Sequence, residues 1–145
     1  VAWEVCHKVG GIYTVIQSKV PYMRERWGDQ YCLLGPMLSD EQPVEFQASE
    51  DYNNPFGQAV LKMRAAGFKV EFGYWLITGK PKVILFNVTQ LNKFLPNIKT
   101  ELAKEDGIVV RPDELAHQVI MFGELIYQYL KHILLTYINC NILII

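Results

Sequence analysis

Apolar residues along this 145-residue chain recur at two spacings, and the spacing switches repeatedly between them. Val1, Trp3 and Val5 fall at every second position and predict a strand over Val1–Val5. Ile12, Val15, Ile16, Val20, Met23 and Trp27 then fall three and four apart, which predicts a helix from about Gly11. Pro21 is expected to kink or restart that helix near Val20, and Gly28 to cap its C-terminus. Tyr31–Leu34 is a short continuous apolar run, as in a strand buried on both faces, with Gly35-Pro36 as its stop. Residues 37–54 are polar and predict mostly loop, with a short strand at Val44–Phe46.

Asn54-Pro55 opens a second helix, with Asn54 as N-cap and Pro55 at the first helical position. Its apolar face is Phe56, Val60, Leu61 and Met63, and Gly67 ends it. Phe68–Phe72 and Tyr74–Ile77 predict two strands, Gly79-Lys80-Pro81 a turn, and Lys82–Val88 a core strand. Helical segments follow over Gln90–Lys104 despite Pro96, and a long helix runs from about Asp113 to Leu130. Strands alternating with helices argue for an α/β layer architecture with a mostly parallel sheet flanked by helices. The run Ile133–Ile145 is apolar to its end and carries no turn signal. It suits either a core strand or a non-homologous extension, which divides the chain into a domain over 1–131 and a tail over 132–145.

Half of the residues are apolar, enough for a buried core within about one domain. Fourteen basic residues against 15 acidic give a net charge of −1, which offers no support for a general nucleic-acid binder. Cys6, Cys32 and Cys140 are widely spaced, with no C-x-x-C pair, and fit reduced thiols in a cytoplasmic protein better than a zinc site or a disulfide framework. The longest uncharged run, Ile133–Ile145, falls short of the ~20 residues of a membrane helix. The chain opens on Val1 and reads as a fragment whose first strand is cut.

The candidate chemistry lies at Lys8-Val9-Gly10-Gly11, where a predicted strand gives way to a helix. A helix N-terminus carries partial positive charge and outward N–H groups, and a lysine beside it adds a mobile cation. Such a turn suits a phosphate-bearing ligand in a crevice at the C-terminal edge of the sheet. The two glycines equally suit a tight strand-to-helix reversal, and Lys8 an ordinary solvated lysine. His7, His117 and His132 lack a carboxylate partner or metal-ligand spacing, and Cys6 suits a small buried residue better than a nucleophile. Asn87-Val88-Thr89 matches a glycosylation sequon but falls on a core strand. No nucleophile–base set and no paired catalytic carboxylates are evident.

Five blocks fall in a recognisable order and spacing: Val1–Val5 with Lys8–Gln17, Trp27–Tyr31 with Leu33–Pro36, Phe72–Ile77, Val83–Phe86, and Phe122–Leu125 with Leu130-Lys131. Together they resemble the animal and fungal type of glycogen synthase. Starch-type synthases carry a similar Lys-x-Gly-Gly block; the Trp-Glu-Val start and the Gly-Tyr-Trp-Leu-Ile block point to the animal and fungal branch. Residues 90–110 match the pattern loosely.

The resemblance implies a Rossmann-like domain from a two-domain retaining glucosyltransferase that moves glucose from UDP-glucose to the non-reducing end of an α-1,4-glucan, without metal or cofactor. Lys8, Gly10 and Gly11 match the family's donor-binding positions, and no catalytic residue is carried over. The implied partners are UDP-glucose, glycogen and glycogenin, with homo-oligomerisation, and neither nucleic acid nor membrane. Two alternatives stand beside it: a non-catalytic module that binds synthase subunits or glycogen, and a starch-type synthase using an ADP-sugar.

Overall fold

The computed structural model describes residues 1–139. Helix α1 spans Gly11–Trp27, and a short 3-10 turn at Gly28–Gln30 leads into strand β1, Cys32–Met37. Strand β2 (Phe46–Ala48), helix α2 (Pro55–Ala65), strand β3 (Val70–Trp75) and strand β4 (Lys82–Asn87) follow. A 3-10 segment over Val88–Phe94 runs into helix α3, Leu95–Glu105, and helix α4 spans Glu114–Asn139. The strands form one sheet in the order β1-β4-β3-β2.

Strand β4 is buried at all six positions, and its alternation builds a core on each face. Ile84 and Phe86 pack with Val60, Met63, Phe72, Leu125 and Tyr129 beneath α2 and α4. Val83 and Leu85 pack with Val5, Tyr13, Val20 and Trp75 on the α1 side. The result is the expected α/β arrangement, a sheet between helices. The sheet is mixed rather than mostly parallel: β1 runs parallel to β4, whereas β3 is antiparallel to β4 and β2 antiparallel to β3. The reason is connection length. Only residues 76–81 join β3 to β4, and a parallel return needs a dozen or more. Gly79 (φ 90°) and Lys80 (φ 35°) make this tight reversal.

Several boundaries differ from the sequence reading. Val1–Val5 is not a strand; residues 3–6 form a turn in which Cys6 takes φ 59°. Helix α1 runs through Pro21 without restarting. Strand β1 continues through Gly35 and Pro36, which is tolerated because β1 is an edge strand, where a missing N–H breaks no ladder. The strand at Val44–Phe46 lies slightly later, and the two strands over 68–77 are one, β3. Asn54 does cap α2, its Oδ1 accepting the Gly57 N–H at 3.0 Å.

Helix α4 extends past Leu130, so residues 133–139 are helical rather than a strand. Its buried positions Leu125, Tyr129, Ile133 and Thr136 keep helical spacing, and Thr136 Oγ1 accepts from Lys62 Nζ of α2 at 2.9 Å. The rest of the tail, with Cys140, lies outside the described residues.

Candidate functional site

The turn before α1 is built on a side chain rather than on glycine alone. Gly10 occupies the N-cap position of α1 and has no side-chain oxygen to offer the first turn. Glu4 supplies it. Its Oε2 accepts the Gly10 N–H and the Tyr13 N–H, each at 2.9 Å. These bonds, that from Tyr13 foremost, hold the Glu4 carboxyl below its ordinary value against the opposing effect of burial.

The segment ahead of the turn lies along β1. Ala2 N–H donates to Leu34 O at 3.0 Å, and Val5 packs on Gly35, so the chain advances in the direction of β1. It therefore delivers residues 6–10 toward the C-terminal end of that strand, where open α/β sheets take their ligands.

Lys8, Gly10 and Gly11 all lie on the surface. The Lys8 Nζ sits 5.8 Å from the centroid of the Tyr13 ring, within cation–π reach. The two glycines differ in what surrounds them. A Cβ on Gly10 would stand 3.2 Å from Glu4 Oε1, whereas a Cβ on Gly11 would meet no atom within 4 Å. The protein's own packing thus accounts for Gly10 and places no demand on Gly11. By helix geometry the N–H groups of Gly11 and Ile12 have no intrahelical acceptor. Both residues are exposed, as is Lys8 three positions before Gly11, so the turn carries two N–H groups without an intrahelical acceptor close in sequence to an exposed ammonium.

Beneath the turn, Tyr13 packs edge-on against Trp75, with ring centroids 5.3 Å apart. Glu45 Oε2 accepts from Tyr13 Oη at 2.5 Å and from Trp75 Nε1 at 3.0 Å. Burial, reinforced by the bond to Glu45, pushes the Tyr13 hydroxyl up to about 12. Cys6 lies in the same core, and burial raises its thiol far above the usual range, as expected of an inert residue rather than a nucleophile.

The remaining candidates lie elsewhere. His117 Nε2 is 3.4 Å from Lys99 Nζ, between α4 and α3. The side chain of Asn87 is buried and bonded to Asp40 and Thr89, closed to modification. Glu4 and Glu45 were missed by the sequence reading. Glu4 could have been found from the empty N-cap, since a helix opening on Gly-Gly must draw its acceptor from outside. Glu45 carried no comparable signal.

The model of the glycogen synthase family matches residues 1–144. The chain belongs to the glycogen synthase family. Among curated relatives, the glycogen [starch] synthase of Caenorhabditis elegans is 37% identical over 132 residues, covering 90% of this chain and 20% of the relative. The liver glycogen [starch] synthase of Homo sapiens is 37% identical over 134 residues, 92% of this chain and 19% of the relative. The glycogen [starch] synthase of Neurospora crassa is 36% identical over 131 residues, 90% of this chain and 19% of the relative. The chain therefore spans about one fifth of the length of the glycogen synthases it matches.

Proposed function

We propose that this chain forms the donor-side part of a glycogen synthase that transfers glucose from UDP-glucose to the non-reducing end of glycogen. Lys8 and the Gly10–Gly11 turn face the donor diphosphate. The observation that carries this reading is that one turn holds the exposed Lys8, resting on the Tyr13 ring, and the exposed helix start at Gly11 and Ile12. Lys8 supplies charge, the helix end supplies directed donors, and Gly11 leaves room for close backbone approach. In this reading the transfer uses no metal or cofactor, and no residue of this chain acts as its acid, base or nucleophile. A cytoplasmic location accompanies the reading; among the described residues no helix is long and apolar enough to cross a membrane.

The test is UDP binding by the 145-residue chain and by Lys8→Ala. Loss of one charge-assisted contact should weaken binding by about 1–3 kcal/mol. Equal binding by both forms removes Lys8 from the donor site. Titration with ADP in parallel discriminates a starch-type donor, which would bind at least as well as UDP.

A second reading, a partner-binding module, has one observation in its favour. A cavity of about 700 Å³ between α3 and α4 is lined by the apolar Ile98, Leu102 and Val119 together with the acidic Glu101, Glu105 and Glu124. A second synthase subunit or glycogen is the partner this reading takes. Capture by a purified glycogen synthase or by glycogen that is lost in Leu102→Asp would support it; unchanged capture would remove the groove from consideration.

A further inference from the structure

Tyr13 is held from both ends by carboxylates from different parts of the chain. Glu4 takes its N–H and Glu45 takes its hydroxyl. The same oxygen of Glu45 also accepts Trp75 Nε1 from β3, although Glu45 lies 32 residues from Tyr13 in sequence. Packing alone does not call for this arrangement. A phenylalanine at 13 and an apolar residue at 45 would fill the space without desolvating a carboxylate. What the carboxylate adds is position, because it anchors the Tyr13 hydroxyl and with it the axis along which the ring lies. That ring is the surface against which Lys8 Nζ rests.

We propose that Glu45 is a positioning residue for the donor turn: by holding the Tyr13 hydroxyl it fixes the ring that aligns Lys8 with the N–H groups of Gly11 and Ile12. This rests on reading Lys8–Gly11 as the donor-phosphate turn. Glu45 contacts no donor atom itself. Its effect reaches the ligand only through Tyr13 and Lys8, and so falls on the phosphate part of the donor and not on the nucleoside.

The test is titration of Glu45→Ala, Glu45→Gln, Tyr13→Phe and the Glu45→Ala/Tyr13→Phe double variant with UDP and with uridine, by calorimetry or ligand-detected NMR. Glu45→Ala and Tyr13→Phe should each weaken UDP about tenfold, the loss of one positioned contact, and leave uridine unchanged. The double variant should be no weaker than either single one, because both remove the same bond. Glu45→Gln keeps an acceptor and should recover most of the UDP affinity.

UDP affinity equal to the parent in Tyr13→Phe and Glu45→Ala, equal loss for uridine, or additive losses would each overturn the proposal. If Glu45→Ala does not fold, Tyr13→Phe, which removes one oxygen, carries the test. Lys8→Ala run alongside separates the two levels. Weakened UDP binding there with an unaffected Tyr13→Phe sinks the Glu45 role alone, while unchanged binding there sinks the donor-turn reading and the positioning role with it.

Discussion

Val5 and Gly35 approach so closely that a Cβ on Gly35 would stand 2.7 Å from the Cβ of Val5 and 3.4 Å from Leu85 Cδ2. Val5 is fully buried at that contact. The segment that leads into the Lys8–Gly11 turn is thus seated on β1 by the absence of one methyl group. Gly35→Ala is expected to cost about 1–3 kcal/mol, the range for overpacking a closed core. Chemical denaturation measures it. Because the strain falls on Val5, the turn should also loosen, and amide exchange at Gly10 and Tyr13 should accelerate more than in α2. A stability equal to the parent would mean that the segment can lift from β1 without penalty.

Glu4 makes the fold sensitive to acid in a defined window. Its folded-state carboxyl lies below 4.5, chiefly through the bond from Tyr13 N–H. A carboxylate depressed in the folded state contributes stability above its unfolded value, and that contribution fades as pH falls through the folded value. Glu4→Gln keeps an acceptor but cannot titrate. The melting temperature of the parent should therefore exceed that of Glu4→Gln at pH 7, and the gap should close as pH falls below 4.5. A gap of the same size at pH 7 and pH 3 would show that the charge contributes nothing and only the hydrogen bonds matter.

The two glycines of the turn should separate stability from binding. Gly11 opens α1 with open space around it, so Gly11→Ala should leave stability unchanged or raise it by up to about 1 kcal/mol. Its cost should appear only in UDP affinity, where a methyl group obstructs backbone approach. Gly10→Ala presses on the Glu4 carboxylate and should lower stability by about 1 kcal/mol, the usual size of a lost cap. Melting curves and UDP titrations on the two variants check this directly. Lower stability with unchanged UDP binding in Gly11→Ala would reverse the assignment.

How much of this could be read in the sequence varies by element. The start of α1 at Gly11, the Asn54-Pro55 opening of α2 and the buried run of β4 follow from local spacing and capping chemistry, and each stands where the sequence placed it. Strand direction was less legible, because a run such as Val70–Trp75 has the same periodicity whichever way it pairs. The six residues before Lys82 were the signal, and they allow only an antiparallel return. Gly35-Pro36 was misread as a stop because its role depends on β1 lying at an edge and on Val5 crossing it, both tertiary facts. At the site, Lys8, Gly10 and Gly11 were visible as a motif. The carboxylates that shape it were not, because Glu45 meets Tyr13 only after the sheet has formed.

The thiols test the packing on both faces of the sheet by chemistry, Cys6 on the α1 side and Cys32 against the opposite core. Burial pushes Cys32 up to about 12 from an ordinary 9.0 and raises Cys6 further, with Glu45 adding to the effect at Cys6. Alkylation requires thiolate, and three units of pKa reduce its share at pH 8 about a thousandfold. Iodoacetamide at pH 8 should therefore label Cys6 and Cys32 slowly in the native chain and rapidly in urea, with peptide mapping to separate them from Cys140. A thiol raised in the folded state also stabilises the fold below its unfolded value and withdraws that support as pH climbs toward the folded value. Stability should thus decline from pH 9 upward, and less steeply in Cys32→Ser. Native labelling of Cys32 at the unfolded rate would show that β1 opens far more readily than its pairing with β4 implies.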